Sequence, residues 1–444
     1  MVPAYAATMA KASGHDVFWA DGIAERWTPE IFEKNYLDFK PDVTLIEVKT
    51  PIIKAYWKTV RRLKEIHPDG KIIFCGDHVT ALPDESMRNC PVDFIISGGN
   101  YDFILIDILK HLENGSSIPE GVFYRDGDRV VNTGHFSLIQ DLNELPFIDR
   151  DLTKWELYSQ ENGNFKYTPG TYTMVGRDCW WGKCDFCSWT TLYNKWHTRT
   201  ATSLLDEIGF LIENYDIKEI FDDTGCFPAG EWLREFCEGM IERGYNKKII
   251  FGCNMIPGVL TQELYNLMGK ANFRFVLFGL ESAEQSTLER IHKCGKSKEI
   301  EESMRMAKKA GLEPHVTCMV GYPWETMEQA RATVNLTRSL FDKGYIDTLQ
   351  ATVVIPYPGT PLFKECEEKG WLKTKDWDRY DMREPIMKTQ ISDDEIMKLT
   401  RSIYKSFMTP KFIFRKLRQI RSWNDIVFYW KAGLRVIGHL LDFK

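Results

Sequence analysis

Short runs of branched apolar residues alternate with longer amphipathic stretches through the first 115 residues of the chain. Four of these runs are typical of buried strands, at residues 16–21, 43–48, 71–76 and 93–98. In residues 52–67, apolar side chains recur every three or four positions, which predicts a helix. This alternation predicts an α/β fold with a doubly wound, Rossmann-like parallel sheet. The chain opens on a predicted helix at residues 3–13, so the first strand of such a sheet is missing.

The same alternation returns, with six strand–helix repeats, between residue 173 and about residue 370. The predicted strands are at residues 172–176, 218–223, 248–254, 273–282, 315–321 and 348–357. Six repeats predict a partial (β/α)6 barrel rather than a complete eightfold one.

These patterns divide the chain into four predicted parts. Residues 1–120 form the Rossmann-like domain, and residues 121–170 form a polar, turn-rich linker that includes a predicted hairpin. Residues 171–375 form the partial barrel, and residues 376–444 form a helical C-terminal region.

Composition and charge exclude several classes of protein. Of the 444 residues, 27% are charged and 43% are hydrophobic, which is ordinary for a soluble globular protein. The net charge of −6 argues against a protein that holds nucleic acid through a basic face. No apolar run approaches the roughly 18 residues that a membrane-spanning helix needs, and the first residues do not have the pattern of an export signal. We therefore expect a cytoplasmic protein without a nucleic-acid partner.

Three of the eleven cysteines lie close together, directly after the first strand of the predicted barrel. Cys179, Cys184 and Cys187 fall within nine residues, in a loop at a strand's carboxyl end, where barrel enzymes carry their chemistry. Thiolates are the ligands that iron–sulfur clusters and zinc select. Three local thiolates would leave one iron of a four-iron cluster open to another molecule.

Other interpretations of this loop remain. The three cysteines could be ordinary buried thiols, although such thiols are uncommon in a loop that contains glycine, lysine, aspartate and paired tryptophans. A structural zinc site needs a fourth ligand, for which His197 or Cys226 is a candidate. A plant-type two-iron ferredoxin has the same local spacing, but its cysteines do not follow a strand that opens an α/β repeat.

At these residues the chain resembles the radical S-adenosylmethionine (radical SAM) superfamily. The spacing differs by one extra residue between the first two cysteines, and Phe186 matches the aromatic residue that precedes the third cysteine. Motifs at later strand ends match the family in order and spacing. The resemblance implies that SAM contacts come from these motifs, at Asp222, Asp223, Gly279, Glu281, Ser282 and Gly321.

The front domain resembles the cobalamin-binding domain of the B12-dependent radical SAM class. The loops at residues 75–85 and 92–103 match loops of that class, and their small residues would let a corrin approach the backbone closely. The resemblance implies cobalamin contacts at Gly76, His78, Ser97 and Gly98. We expect His78 to be a hydrogen-bonding loop residue and not a cobalt ligand. A truncated domain that only packs on the barrel is the alternative.

The resemblance implies an oxygen-sensitive enzyme that uses a [4Fe-4S] cluster to cleave SAM to a 5′-deoxyadenosyl radical. It implies methylation of an unactivated carbon through cobalamin, on a small-molecule, lipid or peptide substrate, with a low-potential ferredoxin or flavodoxin as electron donor. Oxidative cyclisation, as in the anaerobic porphyrin-ester cyclase, or other tailoring of a porphyrin, lipid or peptide is the alternative. The alternative from another class is a non-catalytic zinc protein or iron–sulfur electron carrier.

The C-terminal region carries five cations and no acid in residues 411–423. This pattern favours an amphipathic helix packed on the barrel, and peripheral contact with a membrane surface is the alternative.

Overall fold

The computed structural model describes residues 1–160, 162–405, 410–420, 426–428, 430 and 433. Their strands are β1 Val43–Glu47, β2 Lys71–Cys75, β3 Phe94–Ile96, β4 Val122–Asp126, β5 Arg129–Asn132, β6 Gly170–Thr173, β7 Gly176–Arg177, β8 His197–Thr198, β9 Glu219–Asp222, β10 Ile250–Met255, β11 Phe273–Glu281, β12 Glu313–Val320 and β13 Thr348–Val353. They form a five-stranded sheet, a six-stranded sheet and the small pair β7–β8.

The helices of these residues fill the connections between strands. They are α1 Val2–Ala12, α2 Pro29–Phe39, α3 Ile53–Ile66, α4 Asp77–Ala81, α5 Pro83–Asn89, α6 Tyr101–Asn114, α7 Glu156–Ser159, α8 Trp189–Leu192, α9 Ala201–Asn214, α10 Glu231–Glu242, α11 Gln262–Lys270, α12 Gln285–Arg290, α13 Ser297–Lys309, α14 Met327–Lys343, α15 Pro361–Glu368, α16 Asp393–Lys405 and α17 Pro410–Gln419. In this part of the chain, every helix is too short or too polar to cross a bilayer.

The front sheet has the order β1-β2-β3-β4-β5. Strands β1 to β3 are parallel, as the alternating pattern predicted. The predicted hairpin is also present as β4 and β5. It pairs antiparallel with β3 and so extends the front sheet, although the sequence analysis placed it in a linker.

The strand predicted at residues 16–21 was wrong, because these residues belong to no strand. A strand requires a hydrogen-bonding neighbour, and among the described residues no strand pairs with residues 16–21. Strand β1 therefore lies at the edge of the front sheet, paired with β2 alone.

The second sheet confirms the partial barrel. Its order is β6-β9-β10-β11-β12-β13, every pair is parallel, and β6 does not close on β13. All six carboxyl ends therefore meet at one edge. The first strand lies slightly earlier than predicted, since β6 ends at Thr173 and Gly176–Arg177 pairs with His197–Thr198 instead.

The two faces of the barrel sheet differ in burial. In β12, Val316 and Cys318 are buried in the hydrophobic core, whereas Thr317 and Met319, which alternate with them, are partly exposed. The second face of this strand is therefore less enclosed. A separate aromatic cluster is made of Phe165, Phe221 and Phe275, packed against Tyr172 and Leu277.

Helix α17 covers part of the predicted basic segment. The Lys416 ammonium donates to Asp347 Oδ1 (2.6 Å), and Arg415 donates to the carbonyl of Phe341 on α14 (2.8 Å). These bonds attach α17 to the barrel, while Phe414 and Leu417 are exposed. Residues 421–425 lie outside the described residues, and contact with a membrane surface stays a prediction.

Candidate functional site

The cysteine loop follows β7 at the carboxyl edge of the barrel, and all three thiols are half-buried. The Cys187 N–H donates to the Cys184 carbonyl (3.2 Å), which turns the loop back on itself. Asp185 fixes the loop to its neighbours: its N–H donates to the Ile291 carbonyl (3.1 Å), and its carboxylate bonds the His292 ring (2.9 Å). The sulfur positions are thus set by the protein fold.

The three thiols differ in how easily they lose a proton. A hydrogen bond with Cys226 and the backbone N–H groups of Gly182 and Trp181 lower the pKa of Cys179 to about 6. Burial raises the pKa of Cys184 to about 12 and that of Cys187 to about 11. Metal binding requires thiolates, so iron binding by Cys184 and Cys187 would release protons near neutral pH.

The arrangement fits an iron–sulfur cluster. The charges of Cys187 and Cys179 raise the pKa of Cys184, and the Lys293 ammonium lowers the pKa of all three thiols. Among the described residues, no three histidine, cysteine, aspartate or glutamate side chains lie close enough to hold a single metal ion. A four-iron cube separates its thiolates more widely than a single zinc ion does, and this donor set suits it.

A buried ion pair lies beside the cysteines at the end of β11. The Lys293 ammonium donates to Glu281 Oε1 (2.8 Å), and both side chains are largely buried. Burial alone would lower the pKa of Lys293, but the Glu281 carboxylate and the cysteine sulfurs raise it, so Lys293 stays charged. The site therefore presents a carboxylate and a cation next to the sulfurs.

Gly279 lies directly under this ion pair. A Cβ atom at this position would be 2.5 Å from Lys293 Nζ and closer still to the Glu281 carboxylate. We therefore expect Gly279→Ala to displace the pair and to weaken SAM binding by about tenfold or more, as a shift of about 1 Å can do. Equilibrium dialysis with labelled SAM measures this. Gly22→Ala, whose Cβ would meet only Trp27 at 3.7 Å, is the control; equal affinity in both variants would contradict the expectation.

Asp222 holds the strand ends together. It is fully buried, and its Oδ2 accepts from Thr173 Oγ1 (2.8 Å) and from the Val175 N–H (3.0 Å), at the start of the cysteine loop. Burial raises its pKa to about 6. Its neighbour Asp223 is partly exposed and faces the front domain, where its charge acts on Lys49.

The remaining barrel residues of the predicted SAM site are largely packed. The Ser282 hydroxyl donates to Glu325 Oε1 (2.8 Å). Gly321 is buried with φ +96°, a backbone conformation that favours glycine, and a Cβ there would meet Ile396 at 3.4 Å. Phe186 is half-buried and packs against the barrel core.

The four front-domain residues lie near the carboxyl edge of the front sheet. Gly76 has φ +112°, and a Cβ there would be 2.5 Å from the Val48 carbonyl oxygen. His78 is fully buried, with its ring nitrogens bonded to Thr50 and Glu85 (3.2 Å each).

Ser97 and Gly98 lie in the next loop of the same edge. Among the described residues, the buried Ser97 hydroxyl has no hydrogen-bond partner. A Cβ at Gly98 would be 2.5 Å from the Phe136 ring, so that ring already covers the glycine.

Charged residues lie at both carboxyl edges. Glu47 ends β1, Lys49 follows it, Asp77 begins α4 after β2, and Asp223 follows β9; Lys49 is exposed and the other three are partly exposed. Burial raises the pKa of Asp223, while the Met1 amine and Lys49 oppose that rise. These charged groups and the unpartnered Ser97 hydroxyl fit a large, amide-rich cofactor such as cobalamin. The Phe136 ring covers Gly98, and both ring nitrogens of His78 are hydrogen-bonded within the protein. Neither residue therefore presents a free group to this cofactor.

Two functional contacts were missed by the sequence analysis. Arg177, two residues before Cys179, is buried and binds both Asp102 and Asn100 of the front domain, with Nη1 2.8 Å from Oδ1 of each. Lys293 was missed although it lies close in sequence to the Gly-Leu-Glu-Ser motif at residues 279–282. The only signal for Lys293 was its position near that motif, whereas Arg177 and Asp102 are 75 residues apart and gave none.

Comparison with known proteins finds a family model that matches most of the barrel. The model of the radical SAM superfamily matches residues 173–337. An uncharacterized methyltransferase from Pyrococcus horikoshii is 28% identical over 93% of this chain and 89% of its own length. The anaerobic magnesium-protoporphyrin IX monomethyl ester cyclase of Cereibacter sphaeroides is 23% identical over 91% of this chain and 66% of its own.

Solved structures show the same fold. The cobalamin-dependent SAM radical enzyme OxsB, with aqua-cobalamin bound, has a TM-score of 0.71 at 15% identity over 98% of this chain and 68% of its own. The radical SAM methyltransferase TsrM from Kitasatospora setae, with cobalamin and a [4Fe-4S] cluster bound, has a TM-score of 0.68 at 14% identity, over 91% and 82% of the two chains. The match to the radical SAM superfamily model thus covers the residues that carry the three cysteines and the Gly-Leu-Glu-Ser motif at residues 279–282.

Proposed function

We propose that this chain binds a [4Fe-4S] cluster through Cys179, Cys184 and Cys187 and cleaves SAM. The observation that carries the proposal is the set of three half-buried thiols in one fixed loop, at the edge where the strand ends meet. When bound, the cluster supplies one electron to the sulfonium of SAM, whose carbon–sulfur bond breaks to give methionine and the 5′-deoxyadenosyl radical. That radical abstracts a hydrogen atom from the substrate.

The protein's own contribution is binding and orientation. The buried pair Glu281–Lys293 offers a carboxylate to the amino group and a cation to the carboxylate of SAM. Asp222 ties the start of the cysteine loop to β6 and thus fixes the loop relative to the sheet. Gly279, Gly321 and Phe186 shape the edge of the site, and Asp223 interacts through its charge with Lys49 and Glu47 of the front domain.

We further propose that the reaction transfers a methyl group to carbon. Two observations support this: the name of the Pyrococcus relative, and the charged residues Glu47, Lys49, Asp77 and Asp223 at the two carboxyl edges, which fit cobalamin. Ser97 and the backbone at Gly76 would border that cofactor. Cobalamin bound there would supply the methyl group for transfer to the substrate.

Oxidative cyclisation is the second candidate, and the two magnesium-protoporphyrin cyclases among the relatives favour it. In both cases we propose a small-molecule, lipid or peptide substrate, a cytoplasmic location, and exclusion of oxygen during turnover. A low-potential ferredoxin or flavodoxin would supply the electron.

Turnover with methyl-labelled SAM under anaerobic conditions tests the proposal. We expect 5′-deoxyadenosine together with a product that has gained one labelled methyl group. A product that has lost two hydrogens and gained no label would indicate cyclisation. A protein that binds SAM but forms no 5′-deoxyadenosine with a strong reductant would contradict SAM cleavage altogether.

A further inference from the structure

A buried polar network joins the end of β11 to the loop after β12 and to α14. Glu325, in that loop, has no exposed surface, and its Oε1 accepts from the Ser282 hydroxyl (2.8 Å). Thr333, on α14, is also fully buried; its Oγ1 accepts from the Ala283 N–H (2.9 Å) and lies 3.4 Å from Ser282 Oγ. Thr326 begins α14 with a reciprocal capping bond to Gln329, which fixes the base of the network.

This network holds an irregular piece of backbone. The pairing of β11 with β12 shifts by one residue between Gly279 and Glu281, which marks a β-bulge. Glu281 has φ +60°, in the left-handed region, and the Ser282 N–H donates back to the Leu280 carbonyl (2.8 Å). A residue other than glycine persists in this conformation only where its surroundings hold it.

The bulge determines where the Glu281 carboxylate points. In this backbone conformation, the carboxylate meets Lys293 over Gly279, beside the cysteine sulfurs. An ordinary extended strand end would project the side chain in another direction, because successive residues of a strand face opposite sides. Releasing Ser282 and Ala283 would therefore move the carboxylate away from the site.

The hydroxyl of Ser282 is fully used within this network. It donates to Glu325 and accepts from the Glu284 N–H (3.1 Å). The family resemblance implied a direct contact between Ser282 and SAM, and these bonds favour an indirect role.

We propose that Glu325 and Thr333 are positioning residues for SAM: through Ser282 and Ala283 they hold the Glu281–Lys293 pair in its binding geometry. This inference rests on the proposed function, because SAM is the ligand that it concerns. The loop after β12 and helix α14 would thus affect the affinity for SAM without touching SAM.

The test compares two identical substitutions one helical turn apart. Thr333→Val removes the bonds to Ala283 and Ser282. Thr337→Val, on the same helix and equally buried, removes only a bond to the Val334 carbonyl (2.8 Å). Each reconstituted variant is assayed for iron content, for the SAM dissociation constant by equilibrium dialysis, and for the KM and kcat of SAM cleavage.

We expect Thr333→Val to raise the SAM dissociation constant and KM by about tenfold, with kcat within about twofold and unchanged iron, as loss of ground-state binding predicts. Thr337→Val should match the wild-type affinity. Glu325→Gln, which keeps an acceptor for Ser282, should lose less affinity than Glu325→Ala.

Several results would overturn the inference. Equal SAM affinity in the two threonine variants would show that the network does not position the pair. Loss of iron from Thr333→Val alone would show that the network supports the cluster instead of SAM. If Glu325→Ala does not fold, the threonine pair still decides. A wild-type protein that binds no SAM would reject the proposed function, and the wild-type control reports this separately.

Discussion

Replacing Cys184 by alanine is expected to abolish SAM cleavage, not merely to weaken it. Ligands of one cluster act as a unit, so the loss of one removes the function of all three. The loop holds Cys184 next to Cys187 through a backbone bond, and no other cysteine of the loop can replace it. The measurement is 5′-deoxyadenosine formed per chain after anaerobic reconstitution and reduction, compared with the wild type.

Cys294→Ala is the matched control for that variant. Cys294 is also half-buried, and its thiol interacts electrostatically with Cys179, but it lies outside the loop. An open cluster with three protein ligands predicts that Cys294→Ala keeps wild-type cleavage. If Cys294→Ala were as inactive as Cys184→Ala, the site would be closed by four thiolates, and the open-iron interpretation would be wrong.

The second large effect concerns stability and the contact between the two sheets. Arg177 and Asp102 are both fully buried and form a bidentate ion pair between the barrel and the front domain. Arg177→Met would leave the Asp102 carboxylate buried without its cation. We expect the free energy of unfolding to fall by about 3–5 kcal/mol, the usual range for a broken buried pair. Denaturant unfolding measures the loss.

A double variant separates the destabilisation caused by the unpaired charge from that caused by the lost contact. Arg177→Met combined with Asp102→Leu removes both charges, so it should regain much of the stability that the single variant loses. Arg62→Met is the surface control, because the Arg62–Glu33 pair is exposed and should contribute little. If Arg177→Met were as stable as Arg62→Met, the pair would not hold the two domains together.

The sequence predicted most of the fold because burial on both faces gives parallel strands a distinctive pattern. The runs that became β1, β2 and β10 are largely apolar segments, and they were recognised as strands. Residues 16–21 have the same pattern but form no strand. The local apolar pattern indicates only that a segment tends to form a strand. Whether it joins a sheet depends on a neighbouring strand that is distant in the sequence.

The site shows the same division between local and distant information. The spacing of Cys179, Cys184 and Cys187 is local, and together with its place after a barrel strand it singled out the loop. The hydrogen bonds of Asp222 and Ser282 depend on Thr173 and Glu325, which are more than 40 residues away along the chain. Sequence motifs therefore predicted a role for these residues but could not distinguish a ligand contact from a supporting one.

The most direct test of the central claim is the state of the iron in anaerobically reconstituted protein, with and without SAM. We predict about four irons per chain. We also predict that the electron paramagnetic resonance spectrum of the reduced cluster changes when SAM is added, because SAM would bind the iron that lacks a protein ligand. Zinc in place of iron, or a cluster whose spectrum is unaffected by SAM, would contradict it.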